Sequence, residues 1–104
     1  MEIVKNKKLE RINQELEGLE KIKMEEKDDI VRLEEDIEIE KATLKIAEND
    51  SEIQNHELKN EAISQIKANI LAWEGLIIMA QDKIKEYDSE RLILLYRKKA
   101  VENL

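Results

Sequence analysis

The residues of this 104-residue chain that could do chemistry are its one histidine and a run of closely spaced carboxylates. His56 has Glu52, Glu57 and Asn60 near it at helical spacing. Such a group could join a metal site or act as a general base. One histidine with carboxylates is a weak metal signature, and no nucleophile or orienting partner accompanies it. We therefore expect His56 to be an ordinary side chain near a helix start, and we expect no catalytic residue, no metal and no cofactor.

The carboxylates are densest between residues 25 and 40. Glu34 and Glu38 stand four residues apart, as do Asp36 and Glu40, so each pair would share one side of a helix. Carboxylate metal centres in helical bundles also need a Glu-x-x-His element on a facing helix, which the sequence lacks. The run predicts either a solvated acidic face or a ridge offered to a basic partner. This acidic partner face comprises Glu34, Glu35, Asp36 and Glu38.

Composition narrows the class of protein. Charged residues make up 41% of the chain, against about 25% in an average protein, while proline and cysteine are absent. This mix is typical of long helices and excludes a disulfide framework. Residues 1–52 carry 17 acidic and 10 basic side chains and so account for the whole net charge of −7. Direct nucleic-acid binding is disfavoured, since it needs lysine and arginine to neutralise phosphates; a basic protein surface is favoured as a partner.

A membrane location is also disfavoured. The most apolar stretch, residues 70–80, contains Glu74 and Gly75 and is far shorter than the roughly 18 uninterrupted apolar residues of a membrane span. The N-terminus lacks the apolar core of a signal peptide. We therefore predict a cytoplasmic protein with no membrane contact. The bias toward Ile, Lys, Glu and Asn favours an AT-rich bacterial or phage genome as the source.

Apolar residues recur at alternating spacings of three and four, which is the pattern of a coiled-coil seam, the stripe along which two helices meet. The first ladder comprises Leu9, Ile12, Leu16, Leu19, Ile30, Leu33, Ile37, Leu44 and Ala47, with Lys23, Glu26 and Glu40 at its polar positions. The second comprises Ile63, Ile66, Ile70, Trp73, Ile77, Ala80, Ile84, Tyr87, Arg91, Leu94, Lys98 and Val101. Because the two ladders differ in phase by two residues, we predict a break between them.

The break is expected at Asn49-Asp50-Ser51, whose side chains compete with a helix for backbone hydrogen bonds. Ser51 and Gln54 also form a capping box that would begin the next helix. We predict an all-α fold, an antiparallel two-helix coiled-coil hairpin in one domain over residues 1–104. Its helices would cover about 3–48 and 52–101, with the turn at 49–51.

Two features of the hairpin stay open at this point. The first is the register, which is given by the sum of the numbers of two residues that face each other across the seam. A sum of 103 sets Lys23 over Ala80, and a sum of 96 sets Lys23 against Trp73. Of the two registers we prefer 103, because its centre falls at the capping box. A break in the first helix near residues 24–29 is the alternative to one continuous helix.

Trp73-Glu74-Gly75 is a Trp-x-Gly triplet, and in this respect the chain resembles the small secreted helical-hairpin proteins. In that family the triplet lies in the turn between two helices. Here the second ladder runs through the triplet unbroken, and the turn residues stand elsewhere. We therefore interpret Trp73 as a seam residue and Gly75 as a surface residue.

The seam leaves other apolar residues unused. Residues 92–96 are apolar on every side of a helix, and such a helix must be buried. In a hairpin we expect this run to lie near Ile3 and Val4. A second copy would cover it, giving a dimer of hairpins that forms a four-helix bundle; the alternative is a site for another protein. The predicted oligomer or partner interface comprises Ile3, Val4, Leu76, Met79, Leu92, Ile93, Leu95 and Tyr96.

Three function classes follow. The favoured one is a non-enzymatic coiled-coil interaction or structural protein that acts through homo-oligomerisation and helix-mediated partner binding. The alternative is a small acidic inhibitor, of host or phage origin, that binds a nucleic-acid-processing protein through the acidic face of residues 25–40. The third is a helical enzyme or metal carrier with a site near His56.

Overall fold

The computed structural model describes residues 2–50 and 57–104. Two α-helices account for nearly all of them: α1 spans Glu2–Asn49 and α2 spans Lys59–Glu102. No strand occurs in these described ranges, so the all-α class is confirmed. The two helices pack against each other, in agreement with the predicted hairpin. Its dimerisation into a four-helix bundle stays a prediction.

The chain forms two compact units, and each contains part of both helices. The terminal unit comprises Met1–Asp28 and Gln81–Leu104, and the central unit comprises Asp29–Ala80. The helix α1 continues without interruption through residues 24–29, so the structure does not have the alternative break. The organisation of the chain as one domain stays a prediction.

Burial follows the predicted seam. The less exposed positions of α1 repeat at spacings of three and four and coincide with the first ladder. The second ladder is reproduced as well, except at Arg91, which is exposed because its permanent charge is costly to desolvate without a partner. A residue advances a helix by about 100°, so only one stripe of each helix can face the other. The most buried side chains are Ile12 and Leu94 in the terminal unit and Ile37, Ile70 and Ala80 in the central unit.

The first helix ends close to the expected residue. It stops at Asn49, whose Nδ2 donates a hydrogen bond of 2.8 Å to the carbonyl oxygen of Lys45. A side chain that bonds the backbone in this way competes with the helical hydrogen bonds and favours an end of the helix. Asp50 is outside the helix. The turn residue Ser51 and its capping box with Gln54 lie outside the described residues.

The second helix begins seven residues later than expected. Glu57 and Leu58 lie in a turn, and Lys59 is the first helical residue, in place of one near residue 52. Seam positions before Ile63 are occupied in the sequence by His56 and Lys59, so an earlier start would bury no apolar side chain. Since helices in proteins are stabilised mainly by packing of an apolar face, this pattern agrees with a helix that begins at Lys59.

The later start changes the register of the hairpin. In the terminal unit Lys23 Nζ lies 2.6 Å from Asp88 Oδ1, and the two residue numbers add to 111. In the central unit Asn69 Nδ2 donates a hydrogen bond of 2.9 Å to Glu40 Oε2, and these residue numbers add to 109. Both predicted sums, 103 and 96, are therefore wrong, and the helices are offset by about one further heptad. A slide of one heptad returns every apolar residue to the seam, so the ladders alone cannot distinguish these registers.

The seam is tested by two isoleucines of α1 that stand two residues apart. Ile37 is 6% exposed and Ile39 is 64% exposed. We expect Ile37→Ala to lower the free energy of unfolding by about 2–4 kcal/mol, because it leaves a cavity in the seam. Ile39→Ala should change it by less than about 0.5 kcal/mol. Urea denaturation followed by circular dichroism measures both, and equal losses would contradict the assigned seam.

Candidate functional site

Two polar seam residues of the terminal unit meet polar partners across the seam. Lys23 is paired with Asp88 as described above, and Glu26 Oε1 lies 4.0 Å from Lys83 Nζ. The side chains of Lys23 and Glu26 are 21% and 20% exposed, so they occupy the half-buried positions that the ladder predicts for them. Neither Ala80 nor Trp73 is the partner of Lys23, because the register differs from the two that were considered.

The third polar seam residue, Glu40, lies in the central unit. Its Oε2 accepts a part-buried hydrogen bond from Asn69 Nδ2, and Asn69 Oδ1 in turn accepts one of 2.8 Å from Gln65 Nε2. Two amides of α2 thus orient one carboxylate of α1. The arrangement stabilises a charge in the seam and fixes the pairing of the helices; it is a structural contact between ordinary seam residues.

Glu40, which stands four residues after Asp36 in the acidic run, lies in the seam, where the first ladder also placed it. The four proposed face residues are all exposed, and none takes part in an ion pair found in the described ranges. On a helix Glu34, Glu35 and Glu38 fall within about 100° of one another, and Asp36 lies about 100° farther round. The structure therefore brings three of these carboxylates to one side of α1 and turns Asp36 to another.

The predicted interface residues of the terminal unit do not form one patch. Leu92, Ile93 and Tyr96 are 51%, 46% and 62% exposed, and Leu95 is half-buried. Val4 instead lines a groove with Val101 and Leu104. Val101 stands five to nine residues beyond residues 92–96, which is about 8–14 Å along the helix at 1.5 Å per residue.

The expectation that residues 92–96 lie near Ile3 and Val4 is therefore corrected. Ile3 and Val4 are themselves exposed, at 71% and 54%. The remaining two predicted interface residues, Leu76 and Met79, belong to the central unit and are 47% and 59% exposed.

The central unit carries an exposed apolar face that sequence reasoning identified only in part. We call it the outer face of α2. Met79 was predicted for an interface, but Leu71, 70% exposed, was missed. The available signal was its position directly after the seam residue Ile70 and seven residues before Ile78, which places Leu71 on the side away from the seam. The outer face comprises Ser64, Ala68, Leu71, Ala72, Gly75, Ile78 and Met79.

Trp73 and Gly75 take the roles that the ladder assigned to them. The helix α2 is continuous through both, and Trp73 is half-buried at a seam position. A methyl group added at Gly75 would meet nothing within 4 Å. The triplet therefore lies within a helix, away from the turn position that it occupies in the secreted hairpin proteins.

The described ranges give no support to a metal site or to a membrane span. No group of three metal-ligating side chains occurs there, and His56 lies outside them. None of the described helices is long and apolar enough to cross a membrane. No family model matches the chain, and neither a curated protein nor a solved structure matches it. The fold itself gives the class, an all-α protein of two packed helices of the coiled-coil type.

The pairing of Lys23 with Asp88 gives a direct test of the register. We expect Lys23→Glu to destabilise the fold, because two carboxylates then face each other, and Lys23→Glu with Asp88→Lys to recover part of the loss. A double-mutant cycle on the free energy of unfolding should give a coupling of about 0.5 kcal/mol, since the pair is partly exposed. The coupling should fall at high salt. Zero coupling at low salt would contradict the contact.

Proposed function

We propose that this chain is a non-enzymatic coiled-coil interaction protein that acts by self-association and by binding partners through its helices. The observation that carries the proposal is the imbalance between its core and its exposed apolar residues. Among the described residues sixteen large apolar side chains are exposed, and five apolar side chains are buried. Isolated exposed apolar residues are ordinary, but contiguous ones mark interaction sites.

The accessible surface supports the same proposal. The chain exposes 8280 Å², whereas a folded monomer of 12.3 kDa exposes about 6,100 Å². The difference of about 2,200 Å² is more than the roughly 800 Å² that each partner buries in a standard interface. The chain thus has enough uncovered surface to form a stable complex without losing contacts of its own.

In the terminal unit the residues offered for this purpose are Leu92, Ile93 and Tyr96. They are close to Leu94 in the sequence, but Leu94 is buried in the seam and these three side chains are exposed. Complete burial of a large apolar side chain contributes about 1.5–3 kcal/mol, so a second copy that covered this patch would gain several such increments. We propose a dimer of hairpins as the resulting assembly, with a four-helix bundle as its form. The proposed setting is the cytoplasm of a bacterium, with a bacterial or phage gene as the source.

The proposal is tested by multi-angle light scattering on the purified chain. We expect the wild type to elute with twice the mass of one chain, and Ile93→Glu/Tyr96→Glu to elute as a monomer or with a weakened dimer. The reason is that association would have to desolvate two carboxylates without partners.

A matched control adds the same two negative charges on α1 in the same unit. Asn13→Glu/Gln14→Glu changes two exposed polar side chains and should leave the mass unchanged. A wild type that stays monomeric over the accessible concentration range would contradict self-association. In that outcome residues 92–96 would be assigned to a different protein.

A second function is favoured by the acidic face. Glu34, Glu35, Asp36 and Glu38 are exposed and lack described ion pairs, so their charge is available to a basic surface. We propose as the alternative a small acidic inhibitor that occupies the basic channel of a nucleic-acid-processing protein. Opposite charge on the two surfaces would speed association and favour this partner over nucleic acid itself.

This alternative predicts inhibition of at least one enzyme in a panel of purified DNA- and RNA-processing enzymes. Changing the four carboxylates of the acidic face to lysine should weaken that inhibition about tenfold or more, and raised salt should weaken it too. Reversal of four other exposed carboxylates of α1 is the control and should have a smaller effect. The control positions are Glu2, Glu10, Glu17 and Glu20. Inhibition that survives the reversal at residues 34–38 would remove the idea.

A further inference from the structure

The outer face of α2 in the central unit is unusual for this chain because it bears no charge. The chain is 41% charged, yet residues 64–79 contain only Lys67 and Glu74 as charged residues. These two stand seven residues apart, so they lie along the same edge of the helix, beside the outer face. The face is therefore an apolar strip with one cation and one anion on a single border.

Large and small side chains are separated along this strip. Ile78 and Met79 stand at its C-terminal end and are 60% and 59% exposed. At its N-terminal end the small side chains of Ser64 and Ala68 leave the surface of the helix shallow and open. Leu71, at the middle of the strip, is followed by the small residue Ala72. One half of the strip projects from the helix, and the other half recedes.

We propose that a second copy of this chain covers the outer face, with the two α2 helices antiparallel and related by a two-fold axis near Leu71 and Ala72. Facing residues of the two copies then have numbers that add to about 143. Leu71 of each copy lies against Ala72 of the other. Ile78 and Met79 lie against Gln65 and Ser64 of the opposite copy. This inference rests on the proposed self-association, but it assigns the contact to the outer face of α2 in place of residues 92–96, so Ile93→Glu/Tyr96→Glu would then leave the dimer intact.

The size pattern favours a second copy because two-fold interfaces use one surface twice. Each projecting half must find its receding counterpart on an identical chain, and an antiparallel arrangement supplies that match at both ends. The same arrangement sets Gly75 against Ala68 of the second copy. A Cβ at Gly75 would meet nothing inside its own chain, and the two small residues let the backbones approach closely.

The charge pattern favours the same occupant and fixes its direction. Around such a two-fold axis the same edges of the two helices meet, so Lys67 lies near Glu74 of the second copy, and the pair occurs twice. In a parallel two-fold pair this edge would meet the opposite edge of the second helix, so Lys67 and Glu74 would not pair. Within one chain Lys67 Nζ has a weak contact of 3.9 Å with Glu48 Oε1, and both side chains stay largely exposed. Lys67 can therefore turn to a second copy at little cost.

The test is a charge exchange measured by analytical ultracentrifugation at low salt. We expect Lys67→Glu and Glu74→Lys each to weaken the dimer about tenfold, because each change replaces two attractive pairs by two repulsive ones. The double variant Lys67→Glu/Glu74→Lys should return to within about threefold of the wild-type dissociation constant. An equimolar mixture of the two single variants should form a mixed dimer, in which every pair is attractive again. Lys41→Glu, an exposed change of equal charge on α1, should have no comparable effect.

Leu71→Glu gives a second readout that does not depend on the ion pairs. It sets two carboxylates close to the proposed two-fold axis and should abolish the dimer, while circular dichroism shows an unchanged helical content. Ile39→Glu, an equally exposed position of α1, should leave the dimer intact.

Each outcome separates this inference from the proposed function. A wild-type dimer that ignores the charge exchange and Leu71→Glu, but dissociates with Ile93→Glu/Tyr96→Glu, would overturn the inference and keep self-association. A wild type that is monomeric at all concentrations would overturn both. Weakening by the single variants without recovery in the double variant or in the mixture would show that Lys67 and Glu74 do not pair across an antiparallel two-fold axis and would also overturn the inference.

Discussion

Two helices packed side by side can bury only the stripe that each turns toward the other, and this limit governs the whole chain. A residue advances a helix by about 100°, so roughly two positions in seven meet the partner helix. The ladders fill those positions, and the five most buried side chains all belong to them. Every apolar residue outside the seam stays in contact with water until another chain covers it. The stability of the fold and its capacity for association therefore have the same origin.

The polar residues of the seam perform a different task from the apolar ones. A heptad repeat gives nearly the same apolar packing after a slide of seven residues, so apolar side chains alone leave the pairing ambiguous. Lys23, Glu26 and Glu40 each meet a polar side chain of α2 across the seam. A slide would separate these pairs and leave half-buried charges without partners, which costs free energy. The contribution of each exposed pair is small, but their sum acts against a slide.

The two helices of the central unit present different surfaces to a partner. The outer face of α2 is apolar and uncharged, whereas α1 exposes the carboxylates of Glu34, Glu35, Asp36 and Glu38. The two proposed functions therefore use different helices, and neither requires the surface that the other occupies. A dimer formed through α2 would display two acidic faces, and the pairing of opposite charges with a basic partner would then occur twice.

The sequence alone determined the helical class, the two ladders, the polar seam positions and seven of the sixteen exposed large apolar residues, because each of these follows from helical period and side-chain type. Arg91 departed from its ladder because a charge resists burial that an apolar residue would favour. The register needed the tertiary structure, since the seven-residue repeat cannot distinguish one heptad from the next, and the beginning of α2 at Lys59 set the offset. The separation of Val4 from residues 92–96 followed from that offset. Leu71 was assigned to the outer face only when its exposure was known, although its position next to Ile70 already pointed there.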